Sequence, residues 1–361
     1  MSKQETKWKS GFIGVLLIIL ASVVGVFGVV YGYYHSKLSL MQYSDGTVSQ
    51  TEPIDPTASE FQDGASEMEQ LTSGLEQQDT VKAEGEIFGS EDVFNILLIG
   101  TDERSETFSN NARGDTCMLL SVNKKDGKLK LVSFERATAV PILAGQYKGQ
   151  YDWLTHTFRY GGADLMMREI RECYKIDVTR YIRVNISTFM EGIDAVGGVT
   201  ISLSQAESDY INYPQGTYAE DHIREMGIAN QVQRVTPGEN HLNGATAMLY
   251  ARCRYIDSDW RRVERQRTVI QAAMNQVKHL DLLELNNLLN RVLPLVQTNL
   301  KESEITSLLM LAPKYVKSQT EEMTVPVSGT YGSMKGMGGR SMYAVNFNEN
   351  AKILKKFLYG E

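Results

Sequence analysis

Residues Gly11–Tyr34, GFIGVLLIILASVVGVFGVVYGYY, carry no charged side chain. A helix needs about 20 consecutive apolar residues to cross the hydrocarbon core of a bilayer, so this run can span with some tilt. Lys3, Lys7 and Lys9 precede it, and the positive-inside bias then places the N-terminus in the cytoplasm. Tyr31, Tyr33 and Tyr34 fall where an outer aromatic belt would sit. A cleaved leader would have an apolar region of only about 7–15 residues ending in a small-x-small site. The run therefore reads as an uncleaved anchor, with all that follows expected outside the cytoplasm. The organisation expected is a cytoplasmic tail at 1–10, an anchor at 11–34, a spacer at 35–92 and an extracellular domain at 93–361.

From Leu38 to Asp92 the composition shifts to Ser, Thr, Gln, Asp and Glu, with Lys82 the lone lysine or arginine. Such a stretch buries too little apolar area to offset its ordering entropy and is expected to be a disordered acidic spacer. The whole chain has 361 residues and a net charge of -7. That balance argues against nucleic acid as a partner. Cys117, Cys173 and Cys253 show no metal spacing and leave an odd thiol in any disulfide scheme, so all three read as structural.

Beyond Val93 the pattern is that of an α/β fold, a mixed central sheet flanked by helices. Phe94–Gly100 is a continuous apolar run ending at glycine, as in a strand covered on both faces. Cys117–Asn123 and Lys128–Phe134 read as strands joined by a turn carrying Asp126–Gly127. A helix is expected after Gly161–Gly162, strands at Tyr181–Ile186 and Val199–Leu203, and helices at Phe189–Val196 and Leu242–Arg252. A longer helix is expected from Asp259 to Leu280, with others near Leu282–Val292, Glu302–Val316 and Asn348–Leu358. Met323–Val327 reads as a late strand, and the glycine-rich Gly329–Gly339 as a mobile surface loop.

The densest chemical signal is Tyr250–Arg267, YARCRYIDSDWRRVERQR, with six arginines. On a helix, Asp259, Arg262 and Gln266 share one face. Arg252 and Arg254 alternate and can point the same way from an extended segment. Guanidinium groups grip phosphate oxygens in a fork; the competing reading is a solvated, salt-laced surface. A second cluster favours the first. Asp102 follows the opening strand and Asp115 precedes the next, with Arg113 beside it, where open α/β sheets place ligands. Mg2+ takes one or two carboxylates plus substrate phosphates, and these two aspartates suit it.

These segments also carry a family resemblance. NILLIGTDER, ARGDT, LVSFERAT, FRYGGADL, IDAVGGVTISL, GENHLNGATAMLYARCR and WRRVERQRTVI resemble, in order, the motifs of the LytR-CpsA-Psr family. The resemblance implies an enzyme that takes a glycan polymer from a polyprenyl-diphosphate carrier and transfers it, as glycosyl phosphate, to a peptidoglycan hydroxyl. By motif position, Asp102 and Asp115 match the Mg2+ carboxylates. Arg113, Arg136, Arg252, Arg254, Arg262 and Gln266 match groups on the diphosphate or its sugar. Asp259 matches an acidic residue that can act on the incoming hydroxyl, and Arg136, Asp259 and Arg262 are the expected catalytic set. The family's fold lays the prenyl tail in an apolar tunnel.

The chain departs from the family pattern twice. Ala137 stands where a carboxylate follows the arginine, and Trp153 stands near the place of a lysine. The alternative function is therefore a non-catalytic lipid-diphosphate binding or regulatory protein on the same fold. No Gly-x-Ser-x-Gly elbow or zinc-spaced His pair is present, and Ser121–Lys124 falls inside an expected strand. His156 reads as a satisfied core or turn residue.

Overall fold

The computed structural model describes residues 32–33, 35–48, 82–103, 108–109, 112–253, 256–315, 318 and 320–360. The first strands are β1 (Gln42–Tyr43), β2 (Val93–Gly100), β3 (Thr116–Asn123) and β4 (Leu129–Phe134), then the small pair β5 (Ala139–Pro141) and β6 (Tyr151–Trp153). Next come α1 (Thr157–Tyr174), β7 (Tyr181–Val184), α2 (Ile186–Ala195), β8 (Val199–Leu203), α3 (Gln205–Asn212) and α4 (Tyr218–Met226). They are followed by β9 (Gly238–Leu242), α5 (Gly244–Ala251), α6 (Asp259–Val277), α7 (Leu282–Val292), β10 (Gln297–Thr298), α8 (Glu302–Met310) and α9 (Ala312–Tyr315). The last elements are β11 (Thr320–Val325), β12 (Tyr331–Lys335), β13 (Ser341–Val345) and α10 (Phe347–Tyr359).

The central sheet has the order β1-β10-β7-β2-β3-β4-β11. It is mixed: β2–β3–β4 run antiparallel, whereas β7 joins β2, and β11 joins β4, in parallel. The apolar run of β2 is continuous because both its faces are covered. Leu97 and Ile99 turn into the main core with Leu119, Phe134, Phe158, Ile170 and Phe347, while Leu98 lies beside Ile182 in register and faces the other side. Each fully buried leucine or phenylalanine here contributes about 1.5–3 kcal/mol. A second core forms around the antiparallel β8–β9 pair, with Val199, Ile201, Tyr210, Leu249 and Val269.

The helix α1 bends at Gly162, whose φ of 72° suits only glycine. Its second limb, with Leu165, Ile170 and Tyr174 buried, is the helix expected after Gly161–Gly162. The Asp-Gly turn between β3 and β4 is present, with Gly127 at φ 77°.

Three expectations need correction. The stretch Gly329–Gly339 is not a mobile loop: β12 and β13 pair from Tyr331↔Val345 to Lys335↔Ser341. Met334 and Met337 are buried, and Tyr331 stacks on Trp260, so apolar side chains between the glycines hold it. The described ends of the 35–92 spacer are also ordered on the domain. Gln42 and Tyr43 add an edge strand to β10, the Gly46 carbonyl accepts from Asp164, and Phe88 bridges to Ile176. Backbone pairing there offsets the poor hydrophobicity. The Tyr181–Ile186 strand stops at Val184, because Asn185 caps α2 by accepting from the Thr188 N–H.

The expected anchor at 11–34 lies outside the described residues apart from Gly32 and Tyr33. Among the described residues no helix is long and apolar enough to cross a membrane.

Candidate active site

The β2–β3 connection is closed by Asp102 and Arg113. The Asp102 N–H donates to the Arg113 carbonyl at 3.2 Å. In return the Arg113 backbone N–H and Nε donate to the two carboxylate oxygens of Asp102 at 2.8 and 2.9 Å. This two-way clamp aims the residues that follow, and Asp115 enters β3 facing a cavity. Oδ1 of Asp115 is buried and accepts no hydrogen bond among the described residues. Its ion-pair partner is Nη2 of Arg136, 3.8 Å away.

Arg136 follows β4 and is 3% exposed. Its guanidinium carbon lies 4.8 Å from the centre of the Trp153 ring. Its carbonyl accepts from both the N–H and the hydroxyl of Thr155, which ties the turn after β4 to the segment after β6.

The helices bring the remaining arginines. A side chain at Gly244 would put Cβ 2.2 Å from the Met190 carbonyl oxygen, so the glycine lets α5 press against α2. The end of α5 then presents Arg252 as its C-cap, with φ -102° and ψ 6°. Arg252 Nε donates to His222 Nε2 at 3.2 Å. Ser258 caps α6 by accepting from the Arg261 N–H, and Arg262, Gln266 and Ile270 follow one another along a single face of that helix.

Between the sheet and these helices lies a cavity of about 260 Å³. Leu98, Ile182 and Val184 wall it from the sheet, and Ile186, Phe189, Met248 and Ile270 from the helices. Asp115, Arg252, Arg262 and Gln266 supply its polar lining. Burial alone would raise the Asp115 carboxyl. The guanidinium groups of Arg113, Arg136, Arg252 and Arg262 outweigh that and hold it well below the usual carboxylate range. Arg136 and Arg262 are buried and Arg113 and Arg252 half-buried beside this carboxylate, a cationic lining that suits an anionic group. The arrangement accepts an apolar chain with an anionic head.

The structure thus brings together Asp102, Arg113, Asp115, Arg136, Arg252, Arg262 and Gln266. Arg254 lies outside the described residues, and Asp259 opens α6 with its side chain undescribed. The other arginines of the cluster are structural. Arg261 pairs with Glu264 at the surface, buried Arg265 holds Glu207 and Asp257, and Arg267 holds Glu322 on β11. The solvated, salt-laced reading is right for Arg261, whereas Arg265 and Arg267 make their ion pairs largely out of solvent. Cys253 is not activated by its flanking arginines, because burial pushes its thiol up to about 12.

The sequence reading missed two buried networks. Asp152 accepts from Arg340 Nη2 at 2.8 Å, lies 3.1 Å from His156 Nδ1 and also takes the Tyr160 hydroxyl. Arg183 pairs with Glu103 and packs between Phe108 and Phe158. Arg340 is 188 residues from Asp152, a separation no local pattern signals.

The site thus defines an α/β protein with an apolar cavity ending in an arginine-rich, carboxylate-bearing rim. The model of the LytR_cpsA_psr family matches residues 57–357, and the chain belongs to this family. Among its relatives is the polyisoprenyl-teichoic acid–peptidoglycan teichoic acid transferase TagU of Oceanobacillus iheyensis. It is 28% identical over 344 residues, covering 93% of this chain and 89% of the relative. The fold matches protein gbs0355 from Streptococcus agalactiae with a TM-score of 0.60 at 23% identity, over 74% of this chain and 88% of that one. It also matches TagT bound to LIIa-WTA with a TM-score of 0.56 at 23% identity, over 80% and 97%.

Proposed function

We propose that this protein is a phosphotransferase of the cell envelope. It moves a glycan polymer from a polyprenyl-diphosphate carrier to a peptidoglycan hydroxyl and leaves a phosphodiester link. The observation that carries this reading is the position of Asp115, ringed by four arginines at an apolar cavity. The cavity suits the isoprenoid chain next to the head group. Arg252, Arg254, Arg262, Arg113, Arg136 and Gln266 neutralise the diphosphate and orient its sugar-bearing phosphorus. The acceptor oxygen attacks that phosphorus, the bond to the bridging oxygen breaks, and polyprenyl phosphate leaves with the electron pair. Asp259, at the start of α6, takes the proton from the incoming hydroxyl. The names of TagU and TagT-bound LIIa-WTA support this substrate class.

The donor set also suits Mg2+. Asp115 keeps a buried oxygen without a hydrogen bond, and the Asp102 oxygens, though engaged by Arg113, retain lone pairs. No cluster of three or more His, Cys, Asp or Glu suited to a metal occurs among the described residues. Two carboxylates with phosphate oxygens and water is the ordinary Mg2+ arrangement. The ion, when bound, supplies Lewis-acid stabilisation of charge on the diphosphate. The uncharged run at 11–34 supports a location on the cell membrane, with the domain outside.

A second reading, lipid-diphosphate binding without turnover, is favoured by Ala137 and Trp153 at the Arg136 side of the site. One experiment separates the two. Purified protein is incubated with Mg2+, a synthetic polyprenyl-diphosphate disaccharide and peptidoglycan oligomers. Release of polyprenyl phosphate with glycan attached to the oligomer is the expected result. Binding without release gives the second reading, and absence of both overturns the assignment of the cavity.

A further inference from the structure

We infer that Trp153 is the positioning residue for Arg136, and that the buried Asp152–Arg340 pair fixes Trp153 in that role. The inference rests on the cavity being the diphosphate-lipid site and adds how one of its arginines is aimed.

Arg136 has a long side chain with several rotatable bonds, and at 3% exposure it has little water to solvate it. Its Asp115 contact, at 3.8 Å, is beyond hydrogen-bond distance. The indole of Trp153 offers the guanidinium a flat face, with the ring centre 4.8 Å from the guanidinium carbon. Stacking on an aromatic face holds a guanidinium flat while leaving its edge free to meet oxygen atoms.

The indole is itself locked from three directions. Its Nε1–H donates to the Ser341 carbonyl at 2.8 Å. Its backbone N–H donates to Asp152 Oδ1 at 2.8 Å. Its ring stacks on His156, with centroids 4.9 Å apart. His156 and Tyr160 both contact Asp152, and Arg340 closes the set with Nη2 on Oδ2 at 2.8 Å. Trp153, Asp152, His156 and Arg340 are all 2% exposed or less. A charged pair buried this deeply costs desolvation, and a defined position for its neighbours is the best-attested return. Arg340 and Ser341 lead into β13, so the β12–β13 hairpin, remote in sequence, sets the angle of a group at the diphosphate.

The test compares wild type, Trp153→Leu and Trp153→Phe. Geranylgeranyl diphosphate binding is measured by calorimetry, and turnover on the synthetic polyprenyl-diphosphate disaccharide by polyprenyl phosphate release. Phe keeps an aromatic face and loses the indole N–H, whereas Leu loses the face. We expect Trp153→Leu to lower kcat about tenfold or more with KM changed less than about threefold, and Trp153→Phe to recover most of it. In arginine-selective NMR, the ring-current shift of the Arg136 Nε–H should vanish in the Leu variant and persist in the Phe variant. An unaltered kcat in Trp153→Leu, or equal losses in both variants, overturns the inference. So does an Arg136 signal indifferent to the ring. A wild type that fails to bind the diphosphate brings down the functional reading along with it. A wild type that binds and turns over beside an equally active Leu variant removes this inference alone.

Discussion

Nη2 of Arg136 stands 3.8 Å from Oδ1 of Asp115, near enough for Coulomb attraction and too far for a hydrogen bond. That carboxylate oxygen is buried without a hydrogen bond, a condition that a bound cation relieves. We expect Asp115→Ala and Asp102→Ala to abolish Mg2+-dependent release of polyprenyl phosphate, measured at a temperature where thermal unfolding shows each variant folded. Full activity in both variants would remove the metal assignment.

Arg252 and Arg262 line the cavity, whereas Arg261, on the same helix as Arg262, faces solvent and pairs with Glu264. A hydrogen bond to a charged group contributes about 1.5–3 kcal/mol. Arg252→Ala and Arg262→Ala should each weaken binding of a prenyl diphosphate about tenfold to a hundredfold, with Arg261→Ala as the silent control. Calorimetric titration reads the difference, and equal affinities in all three would remove Arg252 and Arg262 from the diphosphate site.

Ile270 lies two helical turns beyond Arg262 and lines the apolar cavity. Replacing it with Trp adds bulk where the lipid chain is expected. Affinity for a long prenyl diphosphate should drop about tenfold, on the order of losing a few buried methylenes, while inorganic diphosphate binding stays the same. A parallel loss of both ligands would place the chain elsewhere.

Glu169 on α1 is fully buried, and burial raises its carboxyl from the ordinary 4.5 to about 8, outweighing the hydrogen bond from the Leu143 N–H. The folded protein therefore keeps a proton that the unfolded chain releases above about 4.5. The stabilisation is fully present below that value and is lost as the pH rises toward 8, by up to about 1.4 kcal/mol per pH unit. Melting temperatures between pH 5 and 8.5 should fall more steeply in wild type than in Glu169→Gln. Parallel slopes would show that Glu169 is ionised in the folded state.

Cys117, Cys173 and Cys253 are buried and unbonded, so they offer little background to a thiol label. Leu283 on α7 is 76% exposed. A membrane-impermeant maleimide should label Leu283→Cys in intact protoplasts as fully as in lysed ones. Labelling only after lysis would reverse the orientation inferred from the lysines before the apolar run.

The sequence by itself determined the local elements and the chemistry of the rim. The apolar run of β2, the Asp-Gly turn, the glycine pair that bends α1 and the spacing of Arg262 and Gln266 are set by neighbours within a few residues, where backbone preference and side-chain periodicity act. Asp102 and Asp115 were legible because each lies just beyond the end of a strand, and Arg136 was legible from its place in a family motif. Tertiary structure alone decided which arginines face the cavity: Arg262 and Arg265, three residues apart, are near neighbours on the helix surface, yet Arg262 lines the cavity while Arg265 turns to Glu207, which packing brings beside it from α3. It also decided the fate of Gly329–Gly339 and the closing of Asp152 by Arg340. Those contacts join segments up to 188 residues apart, and only packing a shared core against both can select them.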